Sequence, residues 1–476
     1  MSKIEHPDNH YTQQVKQLIE LVYPKEAGRG SVCEDARHYY ILTPDLEDHI
    51  NELQGKLKAV ANPDKQPAVV EQLTKKLKSA QAKLESERLE RLERLQSVAH
   101  RLLALCEGDT YEETQLLSAK FLGTVMLLTR GPEGKFAQLH QRLKPLYKAV
   151  LALRLSDKAL EHDYISHPYL TARKAALTRF KGNRAWQERW QNEVAMPIIW
   201  CALLQDIGLQ SYEARAILHG PDNNLDEFRV LENDQRKQLL KINFSSTLNY
   251  LKNGLGLPAY VGNDKAERDA FIASHTATME FMQALMKDAF ISKSGLGEIL
   301  KIPQIYVSVV LSTKPDYSRK SLPKGYLLIE QLAKKGALHN KLAEAFIGIV
   351  GYFPLGFGIT YIPQTERGFD REGYECAIVT RLNPEHPAEP ICRPVTRNLT
   401  YIRSGSDETV GRNVNLFFPA NRKKLMKMGE DRLKEIMSQL SGNFTPDAID
   451  DLIPSFWEPA DYFAYKNNQN LWNRGR

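Results

Sequence analysis

From residue 46 the apolar side chains recur at intervals of four, three, four and three: Leu46, Ile50, Leu53, Leu57 and Val60. An α-helix turns about once every 3.6 residues, so this interval lays them along one stripe, whereas a half-buried strand would need a period of two. Thr43-Pro44-Asp45 stands before the run and reads as a capping hydroxyl followed by proline at the first helical position. Asn62-Pro63-Asp64-Lys65-Gln66-Pro67 breaks it, and Leu73, Leu77, Ala80 and Leu84 then resume the spacing. Two helices joined by so short a break run antiparallel, so residues 44–84 are expected to form a helical hairpin.

The seam slips over residues 85–88 and restarts with Leu89, Leu92, Leu95, Ala99 and Leu102, so the second arm either continues through a stutter or hands over to another helix. The charged run KLESERLERLERL is expected to be a solvated helix face. Each seam spans only roughly two or three heptads, which favours packing within the chain. A partner protein or a second copy of the chain, paired through these N-terminal helices, is the alternative.

Helical periodicity continues through AKFLGTVMLL, LKPLYKAVLALRL and LTARKAALTRF, with breaks at Gly131-Pro132 and at a polar loop near His162 to His167. Arg173, Lys174, Arg179, Lys181, Arg184 and Arg189 make a locally basic stretch, which helical spacing would spread round a solvated surface. From Gly351 the texture changes. Glycines and prolines punctuate the short apolar runs FGITYI, CAIVTRL, LTYI and VNLFF, which read as a small antiparallel β module. A basic helix, NRKKLMKMGEDRLKEIMSQL, follows, and the aromatic residues of FWEPADYFAYKNNQNLWNRGR are expected to clamp that segment onto its own domain.

At 476 residues the chain is long for a single core. The expected division is an N-terminal helical hairpin region (1–110), a helical linking domain (111–184), a second helical domain (185–350), the β module (351–420) and a C-terminal helix with its aromatic-rich tail (421–476). No uncharged apolar run approaches the roughly 18 to 20 residues that span a bilayer, and the start MSKIEHPDNH has no apolar signal core, so no membrane span and a cytoplasmic location are expected. Cys33, Cys106, Cys201, Cys376 and Cys392 are scattered and never form a C-x-x-C pair, so they read as reduced and mostly buried. A net charge of +6 is small for this length and argues against a dedicated nucleic-acid binder.

One constellation points further. MPIIWCALLQDIGLQ is an apolar helix ending in Gln205-Asp206-Ile207-Gly208, and it resembles the A-x-L-H-D-I-G-K signature of HD-domain phosphohydrolases. LLKINFSSTLNYLKNGLGLP resembles the helix that carries a His-Pro pair in HD-GYP proteins, with Asn243-Phe244 standing in its place. KIPQIYVSVVLSTKPDYSRKSLPKGYLLIEQLA resembles the family's helix and loop running from a metal-binding aspartate through D-A-L-T-S to R-P-Y-R, and AFIGIVGYFPLGFGI resembles the segment that closes the HD-GYP core. The four matches come in the family's order and span about residues 185–420. The resemblance implies a mainly α fold: an HD-domain-like helical bundle with the N-terminal hairpin region and the small C-terminal antiparallel β module attached. The ligand it implies is a cyclic dinucleotide, cyclic di-GMP.

The departures fall on the metal ligands. HD-type hydrolysis uses two or three cations held by imidazoles and carboxylates, which make a bound water nucleophilic near neutral pH. Gln205 and Asn243 stand where imidazoles are expected, and a neutral amide does not replace an imidazole for a transition metal. The late metal-binding aspartate would fall near Gln304 or Ile305, and Asp206 survives alone. Asp206, Glu213, His219, His275 and Glu280 match no helix-face metal motif, and no G-x-S-x-G is present. Gln205, Asp206 and Asn243 are therefore vestigial positions, with no catalytic residue, metal or cofactor expected. The basic loop Lys314, Tyr317, Arg319 and Lys320 is the candidate for contact with the dinucleotide, since ammonium and guanidinium groups suit phosphate oxygens and a phenol ring can stack on a base.

The expectation is a catalytically inactive HD-GYP-like regulatory protein, acting as a receptor or interaction scaffold in cyclic di-GMP signalling. Its rivals are a working metal-dependent phosphodiesterase with unrecognised ligands and, more weakly, a nucleic-acid binder using residues 173–189.

Overall fold

The computed structural model describes residues 8–26, 28, 30–60, 66–129, 136–180, 182–291, 294–371, 373–402, 405–425, 454–469 and 471–473. The fold is mainly helical with a small antiparallel sheet near its C-terminal end. Helix α1 (His10–Val22) is capped by Asn9 and buries Val15, Leu18, Ile19 and Val22. Helix α2 (Val32–Lys58) begins at Ser31, whose hydroxyl accepts the Glu34 N–H with Glu34 and Asp35 in the first turn. The cap expected at Thr43 is thus not a helix start: Pro44 lies inside α2, where it removes one intrahelical hydrogen bond without ending the helix.

Helix α3 (Pro67–Cys106) runs without interruption for 40 residues, roughly 60 Å at the usual rise, so the second arm continues through its stutter. Its distal half pairs with that of α2. Ile50, Leu53 and Ala80, with Leu46, Leu73, Leu77 and Leu84 against them, form a small apolar cluster separate from the main core. The expected hairpin is therefore present as an arm with its own seam. The proximal half of α3 enters the main core through Leu95, Val98, Ala99 and Leu102.

The charged run of α3 is not solvated throughout. Arg91 is buried over the Tyr39 ring and donates to the Gly254 carbonyl at 2.9 Å, while Arg88 donates to the Leu255 and Leu257 carbonyls and Arg94 pairs with Asp35 at 2.7 Å. Arg88 and Arg91 clamp α3 to the turn at 254–257, and Arg94 ties it to the start of α2.

Helix α4 (Tyr111–Leu128) leads to α5 (Phe136–Glu161), which is buried on every side from Leu146 to Ser156 and packs against α1, α4, α8, α12 and α14. A helix buried all round belongs at the centre of a bundle, and the two charges it carries there, Lys148 and Arg154, need buried partners. After α6 (Pro168–Thr171) and a 3-10 turn over Lys174–Phe180, helix α7 (Arg184–Trp190) passes through a π-turn at Gln191–Ala195 into α8 (Met196–Leu204). Pro197 accounts for the bulge. It lacks an N–H, and its ring would crowd the carbonyl of Glu193, which is released to accept the Tyr169 hydroxyl at 2.8 Å.

The basic stretch is paired, and only part of it is solvated as expected: Arg184, Lys174 and Arg189 reach solvent, whereas Arg179 and Arg173 do not. Arg179 is buried and binds Glu107 at 2.7 Å and Asp157 at 3.0 Å, beside Arg154, which binds Glu107 at 2.8 Å. Arg173 and Arg189 pair with Glu193, Lys174 with Asp163 and Arg184 with Glu188, and Lys181 lies outside the described residues.

Helices α9 (Tyr212–His219), α10 (Asn233–Asn249), α11 (Lys265–Phe290), α12 (Glu298–Val310), α13 (Lys324–Lys334) and α14 (Asn340–Val350) complete the bundle, and α14 stops at Gly351 with φ +64°. Strands β1 (Gly358–Tyr361), β2 (Glu375–Val379), β3 (Ile391–Pro394) and β6 (Glu408–Thr409) form an antiparallel sheet in the order β1-β2-β3-β6, with Ile359 opposite Ala377 and Ile378 opposite Arg393. Strands β4 (Thr396–Arg397) and β5 (Thr400–Tyr401) pair beside it. The run VNLFF is not a strand: it touches the sheet through a single bridge from Asn415 to Tyr361.

Helix α15 (Pro419–Leu425) is the visible start of the expected basic helix, and the remainder of that helix lies outside the described residues. The last segment folds back, as its aromatic content implied. Trp457 N–H reaches the Gly358 carbonyl, helix α16 (Ala460–Phe463) presents Phe463 to Trp472, and Trp472 packs directly on Gly123 of α4. One contiguous set of buried apolar side chains extends from Val15 to Trp472. No helix among the described residues is long and apolar enough to cross a membrane.

Candidate functional site

Asp206 stands just past the end of α8, where the chain turns into a short 3-10 segment at Ile207–Gln210. Its carboxylate is reached from two other helices. Lys148, in the buried middle of α5, places Nζ 3.3 Å from Oδ2, and Gln304 of α12 donates from Nε2 to Oδ1 at 3.1 Å and to Oδ2 at 3.3 Å. The Lys148 side chain is 4% exposed and that of Asp206 41%, so the pair faces outward through its carboxylate. Lys144, one turn earlier on α5, has its ammonium pushed down to about 8 by burial, with Asp206 pulling it up and Lys148 pushing it further down.

Gln205 and Asn243, the other two positions singled out by the resemblance, are joined to each other next to Asp206. Gln205 is buried, and its backbone carbonyl accepts from Asn243 Nδ2 of α10 at 3.4 Å. Asn243 Oδ1 accepts from Thr247 Oγ1 at 3.3 Å, and Thr247 in turn accepts the Gly208 N–H at 3.0 Å. Gln205 Oε1 is buried without a hydrogen-bond partner among the described residues. Gln205, Asp206, Asn243 and the Gln304 position therefore meet at one node, although they are far apart in sequence.

The divalent metals implied by the resemblance do not fit these residues. The node offers one carboxylate, already neutralised by an ammonium, together with amide groups and no imidazole. A lysine at hydrogen-bond distance supplies a fixed positive charge where a cation would sit. The wider donors are dispersed: His219 and His275 line two different clefts, and no group of three or more His, Cys, Asp or Glu side chains is arranged to hold a metal among the described residues.

The basic loop is not gathered into one surface. Lys314 is exposed on the rim of a cleft beside α9 and α10. Tyr317 turns inward, edge-on to His140 at 4.7 Å between ring centres, and burial pushes its phenol up to about 12. Arg319 binds the Thr129 hydroxyl and Glu458 of the C-terminal segment, the latter at 3.2 Å, and Lys320 is exposed. His140 holds the root of this loop, its Nδ1–H donating to the Ser312 carbonyl at 2.6 Å.

All five cysteines are free and buried, and burial pushes the Cys33 and Cys106 thiols up to about 12, which leaves them protonated and unreactive. Lys148 is the site residue that sequence reasoning missed. Its signal was a lone ammonium in the apolar run LYKAVLALRL, on a helix with no solvent face there, which requires a buried counter-charge.

No family model, curated protein or solved structure matches the chain.

Proposed function

We propose that this chain is a non-hydrolytic, HD-GYP-like regulatory protein that works as a receptor or interaction scaffold. The observation that carries the reading is the Lys148 ammonium against Asp206, with Gln304 donating to the same carboxylate. Asp206, Gln205, Asn243 and Gln304 are the positions at which the resemblance puts metal ligands, and they come from three different helices to one node. A protein that keeps such a convergence while replacing its imidazoles with amides and its cation with a lysine retains the scaffold and abandons the chemistry. Cyclic di-GMP in the cytoplasm is the ligand of this reading, and the arm formed by α2 and α3 is its surface for a partner protein or a second copy.

Calorimetric titration of the metal-analysed full chain with cyclic di-GMP, beside a turnover assay in added manganese, tests it. The expected result is saturable binding, or none, without hydrolysis: binding marks a receptor and its absence a scaffold. Stoichiometric tightly held metal together with turnover overturns the reading.

A further inference from the structure

A cleft of about 710 Å³ opens beside the node, between the 3-10 segment after Asp206, α9, α10 and the loop at 313–316. Its charged lining consists of Arg215, Arg229, Arg236 and Lys314 against Glu227 and Asp316, with His219 among them. Arg37 adds a further cation at its edge, donating from Nε at 3.3 Å and Nη2 at 3.0 Å to Gln210 Oε1, a lining residue.

These cations differ in how they are held. Arg229 is committed to the fold, since it donates to the Ile217, Leu218 and Asp226 carbonyls and so closes the C-terminal end of α9. Arg215, Arg236, Lys314 and Arg37 have no carboxylate within ion-pair distance among the described residues. Arg37 and Arg215 are moreover close enough to repel: burial and Arg37 both push the Arg215 guanidinium down, with Glu227 only partly compensating. Burial first and then Arg215 act in the same direction on the His219 imidazole. Crowding half-buried guanidinium groups with no carboxylate in direct contact costs stability, and a bound anion relieves that cost.

Most of the remaining lining is apolar, including Phe228, Leu239 and the exposed Leu240, with Gln141, Gln210 and Thr313 as its uncharged polar members. Ligand sites commonly combine such walls with a few convergent polar groups. We infer that this cleft binds a phosphate-bearing organic molecule, with Arg215, Arg37 and Lys314 meeting the phosphate and the leucine-lined wall taking the remainder. Guanidinium groups favour phosphate because they present paired N–H donors to its oxygens, and Gln210 orients Arg37 for that role. The inference does not rest on the reading of the Asp206 node, because no residue named here belongs to it.

The test is calorimetric titration of the full chain with inorganic pyrophosphate at physiological salt, with succinate as a second probe. Expected are saturable pyrophosphate binding, a loss of about ten-fold in affinity for each of Arg215→Gln and Lys314→Gln, and tighter binding in Glu227→Gln, where the competing carboxylate is gone. Lys314 is an exposed loop residue, so its variant reports on the site without endangering the fold. Absence of saturable binding, affinities unchanged in Lys314→Gln and Glu227→Gln, or succinate bound as tightly as pyrophosphate would each overturn the assignment.

Discussion

Gly208 and Asn243 touch backbone to backbone: a β-carbon at 208 would collide with the Asn243 carbonyl oxygen and stand 2.8 Å from Asn243 Oδ1. The D-I-G turn and α10 are joined at this point, with the Gly208 N–H bound to Thr247. Gly208→Ala is therefore expected to force the two elements apart and to cost about 2 to 4 kcal/mol, measured by urea unfolding. A near-neutral result would show that α10 is free to move away from the node.

The Lys148–Asp206 pair is asymmetric, and its two halves are expected to fail differently. Asp206→Ala strands an ammonium that is 4% exposed and is expected to cost about 2 to 4 kcal/mol, whereas Lys148→Met leaves a carboxylate that still reaches water and Gln304 and is expected to cost under about 1.5 kcal/mol. Paired denaturation curves check the order of the two values. The reverse order would mean that the lysine is less enclosed than its geometry indicates.

His140 makes stability depend on pH. Burial pushes its imidazole down to about 4, against its bond to Ser312, with Lys144 and Arg319 adding to the fall. Between about 6.5 and 4 the unfolded chain binds a proton that the folded chain refuses, so stability is full above 6.5 and is lost as pH falls through that window. The loss attributable to this residue is on the order of 3 kcal/mol. His140→Gln is expected to flatten that part of the profile relative to the parent chain, and superimposable profiles would remove His140 as the cause.

The arm and the core were legible to different degrees. Leu46, Ile50, Leu53, Leu73, Leu77, Ala80 and Leu84 declare their pairing because the information is local: a stripe needs only its own spacing. Thr43-Pro44 misled because proline suits a first turn, while the decisive cap, Ser31 with Glu34 three residues on, was equally present and lay further upstream. Burial of Arg91 and Arg179 was not legible, since a charged residue joins a core only when a partner arrives from elsewhere. Here those partners are the Gly254 carbonyl for Arg91, and Glu107 and Asp157 for Arg179. The same limit hid Lys148 from the Asp206 motif, 58 residues away.

The buried cluster around Glu107 offers a sharper test of that point. Glu107 is the carboxylate shared by Arg154 and Arg179, each with a side chain no more than 2% exposed. Glu107→Gln keeps the shape and removes the charge, leaving Asp157 alone between two guanidinium groups. A cost of about 3 to 5 kcal/mol is expected in thermal or chemical unfolding.

Trp472 resting on Gly123 gives the assembly of the molecule a direction in time. The groove over α4 is translated long before the residue that fills it, so a nascent chain carries that apolar surface open while the β module and the rest of the bundle emerge. Closure over α4 waits until residue 472 has been made, so until then that apolar surface has no partner within the chain.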